Sequence, residues 1–184
     1  FFNGREFIYP LNVNFEHKKL FPGNIGPSTG EMGTVTFWSG PNRLFNQTLK
    51  KMEPKLAEEG YVGYIDLNCI VNGNGIYPLE FTSRFGYPTI SIQQEGMTTP
   101  IGEFFHDLAA GTAQKFKVKS GFQIGVRIVV SPFPFDDEAT FRSVSHNAAI
   151  LFKKGIPEEA HIEDVKQVNG QWYVAGTSGV VLIV

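Results

Sequence analysis

Residues 61–86, YVGYIDLNCIVNGNGIYPLEFTSRFG, constrain the fold more than any other stretch of the chain. Two runs rich in β-branched and aromatic residues flank Asn72-Gly73-Asn74-Gly75, the pattern of two strands joined by a tight turn. Side chains alternate across a strand. The first run therefore sorts into an apolar face (Ile65, Leu67, Cys69, Val71) and a face carrying Asp66 and Asn68, while the second sets Leu79 and Phe81 against Glu80 and Thr82. Directly opposed residues of an antiparallel pair point the same way, so the two polar sets share a face if the loop holds an odd number of residues. Asp66, Asn68, Glu80 and Thr82 then make an oxygen-rich patch suited to a hard cation. Arg84 follows at the strand end, where a guanidinium can grip phosphate or carboxylate. The alternative is the solvated outer face of an ordinary hairpin.

The chain has 184 residues, 42% of them hydrophobic and 14% aromatic, enough to bury a core as one large domain or two small ones. A net charge of −2 and the absence of a basic stripe argue against nucleic acid or an anionic membrane as the main partner. The longest apolar runs, such as Val180 to Val184, are too short to span a membrane, and the opening Phe1-Phe2-Asn3-Gly4 has neither the n-region nor the cleavage site of a signal peptide. The lone Cys69 cannot form an internal disulfide, which fits a reducing, cytoplasmic setting; its apolar neighbours suggest an inert core thiol. With no initiator Met and a last run, Gly179 to Val184, that reads as a strand stopped in mid-flow, the sequence reads as a fragment.

Along the chain, residues 5–13 suggest a strand and residues 14–34 a long Gly/Pro-rich loop. A helix from about Pro41 to Glu59 carries the stripe Phe45, Leu49, Met52 and Leu56, with a kink expected at Pro54. A short helix covers about Ile101 to Ala110, with Phe104, Phe105 and Leu108 facing inward. Beyond Lys119 the reading is mostly β, at 121–131, 147–153, 160–168 and 171–184, with Asn169-Gly170 as a hairpin turn. Two domains are expected, 1–115 and a β-rich 116–184.

The loop PGNIGPSTGEMG at 22–33 is long enough to be functional, and its Gly and Thr residues could align backbone N–H groups around an anion. Gly26-Pro27-Ser28-Thr29-Gly30 also fits the G-x-S-x-G nucleophile pattern, with His106, His146 and His161 downstream. Its flanks read as neither strand nor helix, so a serine hydrolase is disfavoured. The four histidines, including His17, have no zinc-like spacing to one another or to Cys69.

Two segments, 17-HKKLFPGNIGPSTGEMGT-34 and 78-PLEFTSRFGYPT-89, together resemble phosphoribosylamine–glycine ligases, ATP-grasp enzymes of purine biosynthesis. The corresponding family stretches run D-H-K-R…G-P-N-T-G-G-M-G and E-F-N-C-R-F-G-D-P-E, in the same order and at similar separation. The resemblance covers essentially the whole chain but only the C-terminal half of such an enzyme. It implies an α+β fold: the C-terminal part of an ATP-grasp domain, an antiparallel sheet with helices, followed by a small β-rich, barrel-like domain. The N-terminal domain and the lid with its nucleotide-clamping lysine would lie upstream of Phe1.

The implied chemistry is ATP-dependent amide formation through an acyl phosphate of glycine, with magnesium or manganese as the metal and ATP, an amino acid and a phosphorylated amino sugar as small-molecule partners. Glu80 matches the family's metal-binding Glu, Thr82 the position of its metal-binding Asn, and Arg84 the Arg of R-F-G, implying a catalytic contact to the transferring phosphoryl. Gly26, Pro27, Ser28, Thr29, Gly30 and Gly33 fall in the loop that resembles a substrate-binding site, and His17 and Lys18 match the His-Lys before it. Three departures stand out. The metal-binding Asn is Thr82, the second Gly of G-G-M-G is Glu31, and G-D-P-E becomes Gly86-Tyr87-Pro88-Thr89. A Thr hydroxyl is a weaker magnesium ligand than an Asn carbonyl, and Asp66, on the neighbouring strand, could restore the missing ligand. The readings left open are a glycinamide ribonucleotide synthetase, a related ligase with another substrate, and a module of the same fold that has lost catalysis. The isolated fragment is expected to be inactive.

Overall fold

A computed structural model describes residues 1–184. Strands β1 (Phe2–Asn3), β2 (Leu11–Phe21) and β3 (Ile25–Ser39) precede a helical stretch, α1 (Arg43–Gln47), a 3-10 turn (Leu49–Met52) and α2 (Glu53–Glu58). β4 (Val62–Gly63), β5 (Asp66–Asn72) and β6 (Gly75–Thr82) follow, then helices α3 (Thr89–Gly96) and α4 (Ile101–Ala109). The remainder is β7 (Phe122–Val129), a helical turn α5 (Glu138–Thr140) continued by a π-helical turn (Phe141–Ser145), and the short strands β8 (Ala149–Ile150), β9 (His161–Ile162), β10 (Val165–Val168), β11 (Gln171–Val174) and β12 (Val180–Ile183). The architecture is mixed α/β with sheets dominant.

Two compact units interleave in sequence. The first comprises Phe1–Asn14, Thr36–Gly86 and Gln93–Gln123, the second Phe15–Val35, Tyr87–Ile92 and Ile124–Val184. The first unit is held by two aromatic-rich clusters. In one, Ile8, Met97, Phe104, Leu108, Ala113 and Phe116 are buried, with the Phe104 and Phe116 ring centroids 4.7 Å apart. In the other, Phe2, Phe7, Leu11 and Phe45 pack with Phe7 and Phe45 edge to face at 5.3 Å. Such pairs add to the apolar area they remove from water. The second unit packs Phe141, Val174, Val181 and Leu182 in one cluster and Met32, Phe133 and Val180 in another. The five-stranded sheet ordered β2-β3-β7-β12-β9 buries all four residues of β12, which read as a continuous apolar run for that reason. A second sheet is ordered β10-β11-β8, and its β10–β11 hairpin turns at the expected Asn169-Gly170.

The hairpin at 61–86 forms as β5 and β6 with the expected shared face, but by a different route. Asn72 pairs with Gly75, leaving Gly73 and Asn74 as an even, two-residue loop, and the Asn72 carboxamide accepts from Asn74 N (2.9 Å) and Gly75 N (3.2 Å) to fix the turn. The parity comes from a bulge. Cys69 opposes Pro78 while Asn68 opposes Glu80, so Leu79 is the extra residue, and the shift returns Glu80 and Thr82 to the face of Asn68 and Asp66.

The expected loop over 14–34 is instead the β2–β3 hairpin, turning at 22–24. Burial along β3 falls on Thr29 and Glu31, changes phase, and continues on Met32, Thr34 and Thr36. The phase change and the glycines hide a strand whose hydrogen bonds come from neighbours on both sides. Backbone held in a sheet ladder cannot converge its N–H groups on an anion, so the nest reading falls, and the strand–turn–helix that a nucleophile elbow needs is absent at 26–30.

Other expectations change in detail. Residues 5–10 lie outside strands apart from single bridges at Phe7 and Tyr9. The helix expected over 41–59 breaks at Thr48 (φ −126°, ψ −97°), and Pro54 stands in the first turn of α2 without kinking it, where a missing N–H costs nothing. Its stripe survives, with Phe45 buried and Leu49 and Leu56 packed beside it. α4 forms as expected, with Phe104 and Leu108 buried. The strands expected over 147–153 and 160–168 shorten to β8, β9 and β10, and the helical turns at 138–145 lie where no helix was expected. Cys69 is half-buried on the hairpin and not in a core; burial and the nearby Asp66 push its thiol pKa up, which keeps it unreactive.

Candidate functional site

The hairpin of the first unit presents four oxygen-bearing side chains on one face. Asp66 stands directly opposite Thr82, and Asn68 directly opposite Glu80. Opposed pairs in an antiparallel ladder have Cβ atoms about 5 Å apart, within reach of one shared cation. Asp66, Asn68 and Thr82 are half-buried and Glu80 is exposed. Two carboxylates with neutral oxygens beside them fit magnesium, which binds through one or two carboxylates and completes its shell with water and substrate phosphates. No group of three or more His, Cys, Asp or Glu side chains is placed to hold a metal ion, so a cation on this face would draw on neutral oxygens and water as well. Arg84 lies two residues beyond β6, exposed, its Nη1 donating to Phe85 O at 3.0 Å. The opposite face of the hairpin is also open to solvent, with Val71 57% and Phe81 51% exposed, as is the bulge residue Leu79.

The residues expected to bind substrate belong to the second unit and sit on paired strands. Gly26, Pro27, Ser28, Thr29, Gly30 and Gly33 are on β3, and His17 and Lys18 are on β2. Thr29 is buried, and its hydroxyl donates to Lys18 O at 2.8 Å, tying the two motifs together. The His17 ring pairs with Phe21 O at 3.1 Å, and Lys18 Nζ lies 2.9 Å from Glu16. Gly26 is glycine for a local reason: its φ is +84°, and a Cβ there would stand 2.7 Å from the Phe21 ring.

The most heavily perturbed group is Glu31. Its side chain is 5% exposed on β3, and its carboxylate accepts the Thr89 hydroxyl at 3.2 and 3.4 Å. Arg127 on β7 gives its Nη1 to the Glu31 backbone carbonyl at 3.1 Å, while its Nε lies 3.7 Å from Glu163. Burial, reinforced by Glu16, pushes the Glu31 pKa up to about 8; the Thr89 hydroxyl, Arg127 and Lys18 pull it only partly back. Glu31 is therefore mostly protonated at neutral pH. The sequence marks Glu31 as a departure from the family motif but gives no sign of its pairing with Thr89. Arg127 is the one charged residue in the run FQIGVRIVV, a sequence signal that its side chain has partners inside the fold.

No protein-family model matches the chain. It is 28% identical to the phosphoribosylamine–glycine ligase of Lactococcus lactis over 135 residues, 69% of this chain and 33% of that protein. The Thermotoga maritima enzyme of the same name is 26% identical over 170 residues, 85% of this chain and 40% of its own length. The chain is similar to the phosphoribosylamine–glycine ligases. A crystal structure of the Thermotoga maritima ligase superimposes on 98% of the chain and 44% of its own with a TM-score of 0.65 at 24% identity, so the fold is shared throughout. The chain spans about a third to two fifths of the length of these curated relatives.

Proposed function

We propose that this chain forms the C-terminal part of an ATP-grasp ligase that joins glycine to phosphoribosylamine, producing glycinamide ribonucleotide, ADP and phosphate in purine biosynthesis in the cytoplasm. The similarity to ligases of that name over as much as 85% of the chain carries the proposal. The register that gathers Asp66, Asn68, Glu80 and Thr82 on one face supports it. In the reaction, the glycine carboxylate takes the γ-phosphoryl of ATP, and the amine of phosphoribosylamine then attacks the acyl phosphate and expels phosphate.

The residues of this chain act by charge. Glu80 and Asp66, with Thr82 and Asn68 beside them, would hold magnesium, which when bound neutralises the ATP phosphates. Arg84, beyond the same strand, supplies a guanidinium for the transferring phosphoryl. Gly26 through Gly30, with Gly33, His17 and Lys18, form the substrate-binding strands. Assayed by itself, the 184-residue chain is expected to turn over nothing measurable.

A related ligase with another acceptor or amino acid is the second reading. Glu31, Tyr87 and Thr89, which change the charge of the motifs, favour it. Incubating the full-length protein with ATP, magnesium, phosphoribosylamine and each amino acid in turn, with products identified by mass, separates the two. Glycinamide ribonucleotide from glycine alone supports the first reading; turnover only with another amino acid replaces it with the second.

A further inference from the structure

In the second unit, β7 has its polar residues on the covered side of the sheet and its aliphatic residues on the wet side. Ile124, Val126 and Ile128 alternate along the strand and are 66%, 45% and 41% exposed. The residues between them turn inward, where Gly125 lies against Ile92 and Arg127 donates to the Glu31 backbone carbonyl. Neighbouring strands continue the aliphatic face. Val184 exchanges both backbone hydrogen bonds with Val126, at 2.8 and 3.0 Å, and Leu182 stands opposite Ile128 on one side and Ile162 on the other. Directly opposed residues share a face, so Ile124, Val126, Ile128, Leu182, Val184 and Ile162 form one continuous surface across β7, β12 and β9. All six belong to the second unit, and none has a polar side chain.

A sheet with one wet face ordinarily sets polar residues there, and a contiguous aliphatic surface marks a place where something docks. We infer that this face is an interface inside the intact ligase, packed against an apolar surface of the polypeptide that lies outside these 184 residues. The inference rests on reading the chain as part of a longer ligase. Two observations select that occupant. The chain spans only about a third to two fifths of the ligases it matches, so a protein of that kind has more than this length again to place. The patch is also small. Six aliphatic side chains that are already partly covered fall short of the roughly 800 Å² per partner that holds two separate molecules together. Covalent linkage raises the effective concentration of two surfaces, into the millimolar range for a short flexible linker, so a patch of this size suffices within one polypeptide. A face without charges gives a nucleic acid or an ionic ligand nothing to be steered by.

Thiol labelling of the purified full-length protein tests the interface. Val126→Cys and Ile124→Cys each place a thiol on the face, and uptake of N-ethylmaleimide is followed by peptide mass, in native buffer and in urea. An internal interface predicts native labelling more than about tenfold slower than in urea at both positions, by the same factor at every protein concentration, because the thiols react only when the surfaces part. Should one variant fail to fold, the other decides. Labelling within about tenfold of the urea rate overturns the inference, since the face is then open in the intact protein. Protection that is lost on dilution also overturns it, and assigns the face to a second copy of the chain. Amide formation from glycine, assayed in parallel on the unsubstituted protein, tests the ligase reading separately. If that assay fails while the thiols are protected, the interface stands and only the enzyme's identity is lost.

Discussion

At the scale of single residues, Glu31 makes the sharpest claim. Its carboxyl titrates near 8 when folded against an ordinary value of 4.5, so between these pH values the native state holds a proton that the unfolded chain has released. The stability tied to this group is full below the lower value and is lost as pH rises through the upper one. Melting temperatures should therefore fall from about pH 5 to about pH 9, and Glu31→Gln should flatten that slope. Equal slopes in both proteins would show that Glu31 is solvated. Glu80 and Arg84 face a kinetic test. Glu80→Gln and Arg84→Ala in the full-length enzyme should each cut kcat about 10²-fold while leaving the melting temperature within a few degrees, because the hairpin bearing Glu80 and the segment bearing Arg84 lie open to solvent. Near-normal turnover with a much lower melting temperature would make that residue structural. Asp66 stands opposite Thr82, so Asp66→Ala should raise the magnesium concentration for half-maximal rate, and Thr82→Asn should leave it unchanged or lower it. An unchanged half-saturation point in Asp66→Ala would assign the coordination position to water or substrate.

At the scale of elements, what the sequence disclosed depended on whether local chemistry decided the outcome. The β5–β6 face was legible because alternation and the Asn-Gly turn act within about 20 residues. The bulge at Leu79 was not, because no residue type announces it. The β3 strand was hidden for the opposite reason. Its Gly and Pro residues speak locally for a loop, while the ladders that make it a strand come from β2 and from β7, about a hundred residues away. Gly125 on β7 shows how tightly that sheet is covered, since a Cβ there would stand 2.4 Å from the Ile92 side chain. Gly125→Ala should destabilise by about 1–3 kcal/mol in denaturant unfolding, and Ile92→Ala, which removes both carbons that stand 2.4 Å from the added Cβ, should cost less in that background than in the wild type. No change in the midpoint would mean that Ile92 relaxes freely. α1 rests on its cap, where Asn42 accepts from Phe45 N at 2.9 Å, and Asn42→Ala should cost about 1 kcal/mol.

At the scale of the whole molecule, the site was legible where motifs are contiguous and opaque where the fold joins distant segments. Glu80, Thr82 and Arg84 lie within one short run, and their placement on or just beyond one strand followed from it. The meeting of Glu31 with Thr89 and of Arg127 with Glu163 depends on strands and helices packing within a unit assembled from three separate stretches of sequence. No helix is long and apolar enough to cross a membrane. The central claim is that such a chain serves an enzyme that activates glycine as an acyl phosphate. Glycine labelled with oxygen-18 in its carboxylate, given to the full-length protein with ATP, magnesium and phosphoribosylamine, tests it most directly. The account predicts one labelled oxygen in each phosphate released, in step with glycinamide ribonucleotide. Unlabelled phosphate, or ADP formed at the same rate without glycine, would contradict it.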